Sequence, residues 1–305
     1  MAQFTKYTGT LSGQNGTLIT ALDAALVTGQ GWDNTLAGGG ANKRCYRPPA
    51  GNQFYLRVRD DGPDVGGAKE ARICGYEAMT DVDTGTHLFP AAAQMADGLY
   101  VRKSATADGV ARTYQIWADD RTFYMFILTG DTAGMYYGWG FGDFYSLVAS
   151  DGYRTMIRGW GAANNTTQTY SGMDLISANV TLTTIANYMA RGHTGLAGSV
   201  NFGVHGDSAK STSGTLFGSV PFTNPSNGGL YIAPVWIHDP TTAPANGLRG
   251  RLRGFWQFLH AIASITDGDT FTGTGDLAGK TFVVLKQSRN AGVYIIETSN
   301  TLETN

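Results

Sequence analysis

The residues that could do chemistry in this chain are few, and most of them fail on spacing. Gly279-Lys280-Thr281 imitates the end of a phosphate-binding loop, but the glycine needed five residues before Gly279 is replaced by Thr274. Phe282-Val-Val-Leu follows as a strand pattern, whereas a phosphate cradle needs a helix N-terminus there. Gly273-x-Gly275-x-x-Ala278 fails the dinucleotide test for the same reason, so both read as turn glycines. No Gly-x-Ser-x-Gly elbow occurs, and His205-Gly-Asp207-Ser208 places triad letters too close together to form a triad. His87, His193, His205, His238 and His260 are scattered without metal-ligand spacing. Asp81-x-Asp83 and Asp267-x-Asp269 lack the glutamate that closes a calcium loop, which leaves turn capping as their role. Paired carboxylates for glycoside cleavage would need two distant acids to meet; the only glutamates are Glu70, Glu77, Glu297 and Glu303, and Asp119-Asp120 reads as a hairpin turn. The expectation is no catalytic residue, no cofactor site and no metal site.

Two clusters remain. Arg249, Arg251 and Arg253 alternate, so a regular strand would put all three on one face. With few other cations nearby, that face suits subunit contacts better than nucleic acid. Tyr136-Tyr-Gly-Trp-Gly-Phe-Gly-Asp-Phe-Tyr145 alternates rings with glycines, a pattern of close backbone approach and heavy packing, more in keeping with core or interface than with a sugar platform.

The elements that must position these residues are mainly strands. Glycine is 42 of 305 residues and charged residues are only 15%, so long solvated helices are disfavoured and turns are favoured. One amphipathic helix is expected from Thr17, where Leu18, Ile19, Leu22, Ala25 and Leu26 form one stripe. Thr17 or Asn15 can cap it, and Gly29 and Gly31 stop it. Beyond Trp32 the period becomes two, with strands expected at 54–59, 71–79, 99–103, 112–118, 122–128, 153–159, 281–286 and 292–298. The fold class expected is all-β, a sandwich or barrel-like sheet with one N-terminal amphipathic helix and long irregular loops.

The expected organisation is a segment and helix over 1–30, a β-rich region over 31–160, a low-charge stretch over 161–229, and a β-rich region over 230–305 completing the same domain. The stretch 161–229 has four charged residues, and 36 of its 69 residues are Gly, Ser, Thr or Asn, yet apolar anchors recur through it. It reads as an arm or insertion that orders against a partner surface. Cys45 and Cys74 sit in strand patterns and read as buried, reduced thiols. The formal charge of -2 excludes binding to polyanions by bulk charge. The N-terminus lacks a signal-peptide core, and the longest clear apolar run, Phe123 to Leu128, is far short of a membrane span. No membrane or nucleic-acid partner is expected.

Several stretches resemble tailed-bacteriophage virion proteins of phages that infect Gram-negative bacteria. They are Gly31-Trp, Asn42-Lys-Arg-Cys-Tyr-Arg, Asn52-Gln-Phe-Tyr-Leu-Arg-Val and Ala71-Arg-Ile-Cys-Gly-Tyr-Glu-Ala-Met-Thr-Asp-Val. Trp117-Ala-Asp-Asp-Arg-Thr-Phe-Tyr, Phe141-Gly-Asp-Phe-Tyr-Ser, Asp267-Gly-Asp-Thr-Phe and Leu277-Ala-Gly-Lys-Thr-Phe complete the set. Together they cover most of 15–160 and 245–296. The resemblance implies a non-enzymatic structural component of a virion assembled in the host cytoplasm, in the tail or baseplate, repeated as a homo-oligomer. Its partners would be copies of itself and other virion proteins, with the host surface as a further possibility. The alternatives are a receptor- or glycan-binding tail protein working through 136–145, a head or collar decoration protein, and a glycoside-cleaving tail enzyme.

Overall fold

The computed structural model of the chain describes residues 3–62, 67–131, 136–161, 185–196, 198–205, 232–241, 247–258, 265–286 and 293–299. The first strand is β1 (Thr5–Leu11), followed by helix α1 (Thr17–Leu22), which continues as a π-helical stretch over Asp23–Thr28. Then come β2 (Lys43–Tyr46), β3 (Tyr55–Arg59), β4 (Glu70–Asp81), β5 (Thr84–Phe89), β6 (Leu99–Arg102) and β7 (Arg112–Ala118). The next are β8 (Thr122–Leu128), β9 (Tyr136–Asp143), β10 (Tyr145–Ser146), β11 (Thr155–Trp160), β12 (Ile185–Arg191), β13 (Gly198–Asn201) and β14 (Gly203–His205). The last are β15 (Ile232–Asp239), β16 (Gly247–Phe258), β17 (Thr270–Thr272), β18 (Thr281–Lys286) and β19 (Val293–Glu297). The all-β expectation holds, and the expected strands are present.

The strands form two antiparallel sheets. The larger has twelve strands, ordered β1-β7-β8-β9-β11-β6-β4-β3-β2, with β12 and β13 continuing from β11 and β5 beside β4. It curls into a half-barrel around the helix. The smaller has seven, ordered β14-β15-β16-β19-β18-β17, with β10 paired to β16.

Alternation along the strands explains the layering. Ile116, Phe123, Met125, Trp139, Phe141, Ile157, Ile73 and Leu56 point into the curl, where they meet the helical stripe of Leu18, Ile19, Leu22 and Leu26. Their neighbours Trp117, Tyr124, Phe126, Met156 and Met189 point the other way and pack against Val235, Ile237, Leu252, Phe255 and Ile296 of the smaller sheet. β8 is therefore buried on both faces, which is why Phe123 to Ile127 is apolar without interruption. Each such side chain contributes about 1.5–3 kcal/mol of burial.

The helix stops where the sequence says it should, with Gly31 at φ 71, and the Trp32 and Gly31 amides return to the carbonyls of Leu26 and Val27. Its start differs from expectation. Gly16 holds the N-cap position and no side chain of the segment caps it. The cap comes from Asp60, at the end of β3, whose carboxylate accepts from the Leu18 amide at 2.8 Å. A glycine cap has no oxygen to offer, so an acceptor from a distant strand takes its place.

Of the low-charge stretch 161–229, residues 162–184, 197 and 206–229 lie outside the described residues. The described remainder is strand. β12 extends the larger sheet from β11, β14 pairs with β15 of the smaller one, and Met189, Val200 and Phe202 are core residues between them.

Candidate functional site

Where the two sheets meet, two groups of buried charges collect. The arginines of β16 do not share a face. The pairing of β15 with β16 shifts register between Ile237 and His238 and again between Pro234 and Trp236, and Gly254 in the second irregularity has φ 59. Each irregularity resets the alternation on which a one-face reading depends. Arg249 and Arg253 are buried, while Arg251 is half-buried and lies over the rings of Tyr145 and Trp256. The expected subunit-contact face of three arginines is replaced by two internal ion-pair centres and one stacked arginine.

Arg249, fully buried, grips Asp151 with both prongs of its guanidinium, Nε to Oδ2 at 3.0 Å and a terminal nitrogen to Oδ1 at 3.0 Å. The other terminal nitrogen reaches Asp239 at 3.1 Å and the Arg191 carbonyl. Asp239 also accepts from the backbone amides of His193 and Thr241, both at 2.8 Å. Burial works against both carboxylates, but their hydrogen bonds and the Arg249 charge outweigh it and hold their pKa values below the ordinary 3.8. This centre ties the β10–β11 loop, the end of β12 and strands β15 and β16 to one another.

The second centre is built on the β7–β8 hairpin. Asp119 does what a turn aspartate does, accepting from the Arg121 and Thr122 amides at 2.8 Å each. It also takes a short ion pair from Arg253, and its carbonyl accepts from the Trp32 indole at 2.9 Å. Beside it, Asp143 at the end of β9 accepts from the Thr155 hydroxyl at 2.7 Å, the Asn52 amide at 2.9 Å and Arg154 at 3.5 Å. Burial pushes the pKa of both Asp119 and Asp143 up, against the pull of these donors.

A polar cleft of about 310 Å³ opens over this centre, lined by Arg121, Asp143, Phe144, Tyr145, Ser146, Val148, Ala149, Ser150, Arg154 and Arg253. Arg121 and Arg154 stand at its mouth with 25% and 34% of their side chains exposed, and Arg253 lies beneath at 4%.

The other candidates from the sequence are placed elsewhere. Gly279 and Lys280 are in the turn before β18, with Lys280 paired to Glu297 at 2.8 Å. Asp81 and Asp269 cap turns, accepting from the Asp83 and Thr266 amides at 2.8 Å. Glu70 pairs with Arg102 and Glu77 with Arg191, so no two glutamates face one another across a cleft among the described residues. Among those residues no three of His, Cys, Asp and Glu gather as a metal set. His260, Asp207, Ser208 and Glu303 lie outside them. The rings of Tyr137, Trp139, Phe141 and Phe144 are buried, so segment 136–145 is core rather than platform. Cys45 and Cys74 are free, buried thiols on β2 and β4, separated by Arg57 of β3, which pairs across to both. Burial pushes the Cys45 thiol up to about 12 and raises Cys74 as well, which keeps both protonated and unreactive.

Reading the sequence alone missed Asp143, Asp151, Asp239 and Arg154. Their signal was weak but present. In a chain so poor in charge, an acid at the end of an apolar strand has few neighbours to be solvated with, and burial with an arginine is the alternative. No family model matches the chain, and no curated protein matches it.

Proposed function

We propose that this chain is a non-enzymatic structural subunit of a tailed-phage virion, placed in the tail or baseplate and repeated there as a homo-oligomer among other virion proteins. One observation carries the reading. Many of the residues through which the chain resembles such proteins are framework residues: Trp32, Cys45, Tyr46, Leu56, Cys74, Trp117, Phe141 and Phe144 are buried, and Asp119, Thr122 and Asp143 belong to the inter-sheet charge centres. A resemblance carried by framework residues speaks for a shared architecture. The charged groups at the sheet junction are engaged with one another, which suits a clamp that resists mechanical and thermal opening.

Repetition around an axis is the usual way such subunits bury their remaining surface, in closed rings. The low-charge composition of 161–229 supports placing part of that stretch at or near subunit contacts. The test is mass spectrometry of gradient-purified particles from infected cells. Detection at the level of other structural proteins supports the reading, and absence with good coverage of minor components refutes it. Adsorption inhibition by the pure protein would instead favour the receptor-binding alternative, and immunogold labelling at the head or collar would favour the decoration alternative.

A further inference from the structure

We propose that the cleft over Asp143 is a binding site for a small oxyanion-bearing ligand, a carboxylate or phosphate seated between Arg121 and Arg154 with Arg253 beneath it. The lining holds three guanidinium groups and one carboxylate, with Asp119 and Asp120 paired to Arg253 and Arg121 at its margin. That carboxylate is already committed, since Asp143 accepts from Thr155, Asn52 and Arg154. Arg154 and Arg253 both act on Asp143 by charge. The Arg121 carbonyl accepts from the Asp143 amide at 3.3 Å, so the turn that carries Arg121 lies against the end of β9. All three cations line the same cleft.

Their existing pairings differ in strength. Arg253 is locked to buried Asp119, and it serves as a fixed positive floor. At the mouth, Arg154 meets Asp143 at 3.5 Å and Arg121 meets Asp120 at 3.8 Å, both longer than a close ion pair. A planar guanidinium fork binds carboxylate and phosphate oxygens in pairs, so an arriving oxyanion can offer closer contacts than these two pairs make. Partial burial strengthens the attraction relative to open water.

The size of the site limits the ligand. About 310 Å³ is at the small end of ligand cavities, room for one sugar ring or a compact phosphate but not for a chain. Phe144, Tyr145, Ser146 and Ser150 form part of the wall, a mixture that suits a polar ring carrying an acid group. The backbone around the site is built tightly enough to hold it open. Gly51, at φ 78, lies so close to the Asp143 carboxylate that a Cβ there would be 2.2 Å from Oδ2.

This assignment does not depend on the chain being found in particles. The experiment is isothermal titration of the full chain with glucuronate, inorganic phosphate and glucose at low salt. The charged probes should bind and glucose should not, and the double variant Arg121→Gln, Arg154→Gln should weaken binding by about tenfold or more. Both side chains are partly exposed, so the variant keeps its fold, which circular dichroism checks. Stronger binding of glucuronate than phosphate identifies an acidic sugar as the source of the oxyanion, and the reverse order identifies a phosphate. Binding of glucose equal to glucuronate, no binding of either anion up to about 10 mM, or binding that survives in the double variant overturns the proposal.

Discussion

Asp60 and Lys103 are both fully buried and form a short ion pair, with Lys103 also donating to the Gln14 carbonyl at 2.7 Å. The carboxylate thus joins three jobs: it balances the lysine, caps the helix, and anchors the end of β3. Removing the lysine strands a carboxylate in the core, so Lys103→Met should cost about 3–5 kcal/mol in urea unfolding at pH 7. The double variant Asp60→Asn, Lys103→Met leaves no charge behind and should recover most of that loss. Equal loss in the single and double variants would show that the pair is not what stabilises this corner. The thiols give the opposite expectation. Cys45 and Cys74 are core atoms only, so the double alanine variant should lose about 1–3 kcal/mol by trimming, and a reductant should leave the wild-type melting temperature unchanged.

At the scale of elements, the glycines of β9 decide how closely β8 can approach. A Cβ at Gly140 would be 2.7 Å from the Phe123 carbonyl oxygen, and one at Gly142, where φ is 133, would be 2.3 Å from the Arg121 carbonyl oxygen. Phe123 is backbone of a strand packed on both faces and Arg121 is backbone of the tight turn that leads into it, so neither carbonyl can shift freely. Gly140→Ala and Gly142→Ala should each destabilise by about 1–3 kcal/mol through overpacking, read as a lower urea midpoint at unchanged slope. A neutral result at either position would mean that the sheet opens there. The span 161–229 shows why composition alone misleads about elements. Excising it whole would also remove β12, β13 and β14 and with them Met189, Val200 and Phe202, so the shortened chain should lose its cooperative unfolding transition. A cooperative transition that persists after excision would show that the two sheets close without these strands.

For the whole molecule, the buried acids set the response to pH, and they pull in two directions. Burial raises the Asp60 pKa to about 6, against the pull of Lys103, so the folded state takes up its proton before the unfolded state does. The stability that this group contributes is greatest at low pH and is lost as pH rises from its ordinary value of 3.8 through about 6. Asp119 and Asp143, also raised, act in the same sense. Asp131, Asp151 and Asp239 are held below 3.8, so their contribution is present above that value and is lost as pH falls from it through their depressed folded values. The urea midpoint should therefore hold or rise from pH 7 to about 5 and fall steeply only below about 4. A steady decline between pH 7 and 5 would mean that the raised acids do not govern this range.

The sequence by itself determined the class of fold and most of its elements. Alternation at β3, and short strand-forming runs at β4, β7 and β8 bounded by Gly and Asp turns, are local signals, and burial of one face or both is enough to fix them as strands. The helical stripe from Leu18 to Leu26 and its stop at Gly31 were legible on the same ground, as was the hairpin turn at Asp119. Tertiary structure alone decided the partners of the buried charges. Asp119 finds Arg253, and Asp151 and Asp239 find Arg249, across sequence separations that no local pattern encodes. It also decided the faces of the β16 arginines, because irregularities in the pairing with β15 reset an alternation that looked regular in the chain. The cleft over Asp143 belongs to the same class of outcome. It exists where the ends of β9, β10 and β16 are brought together, and long-range packing energy, not residue order, sets that meeting point.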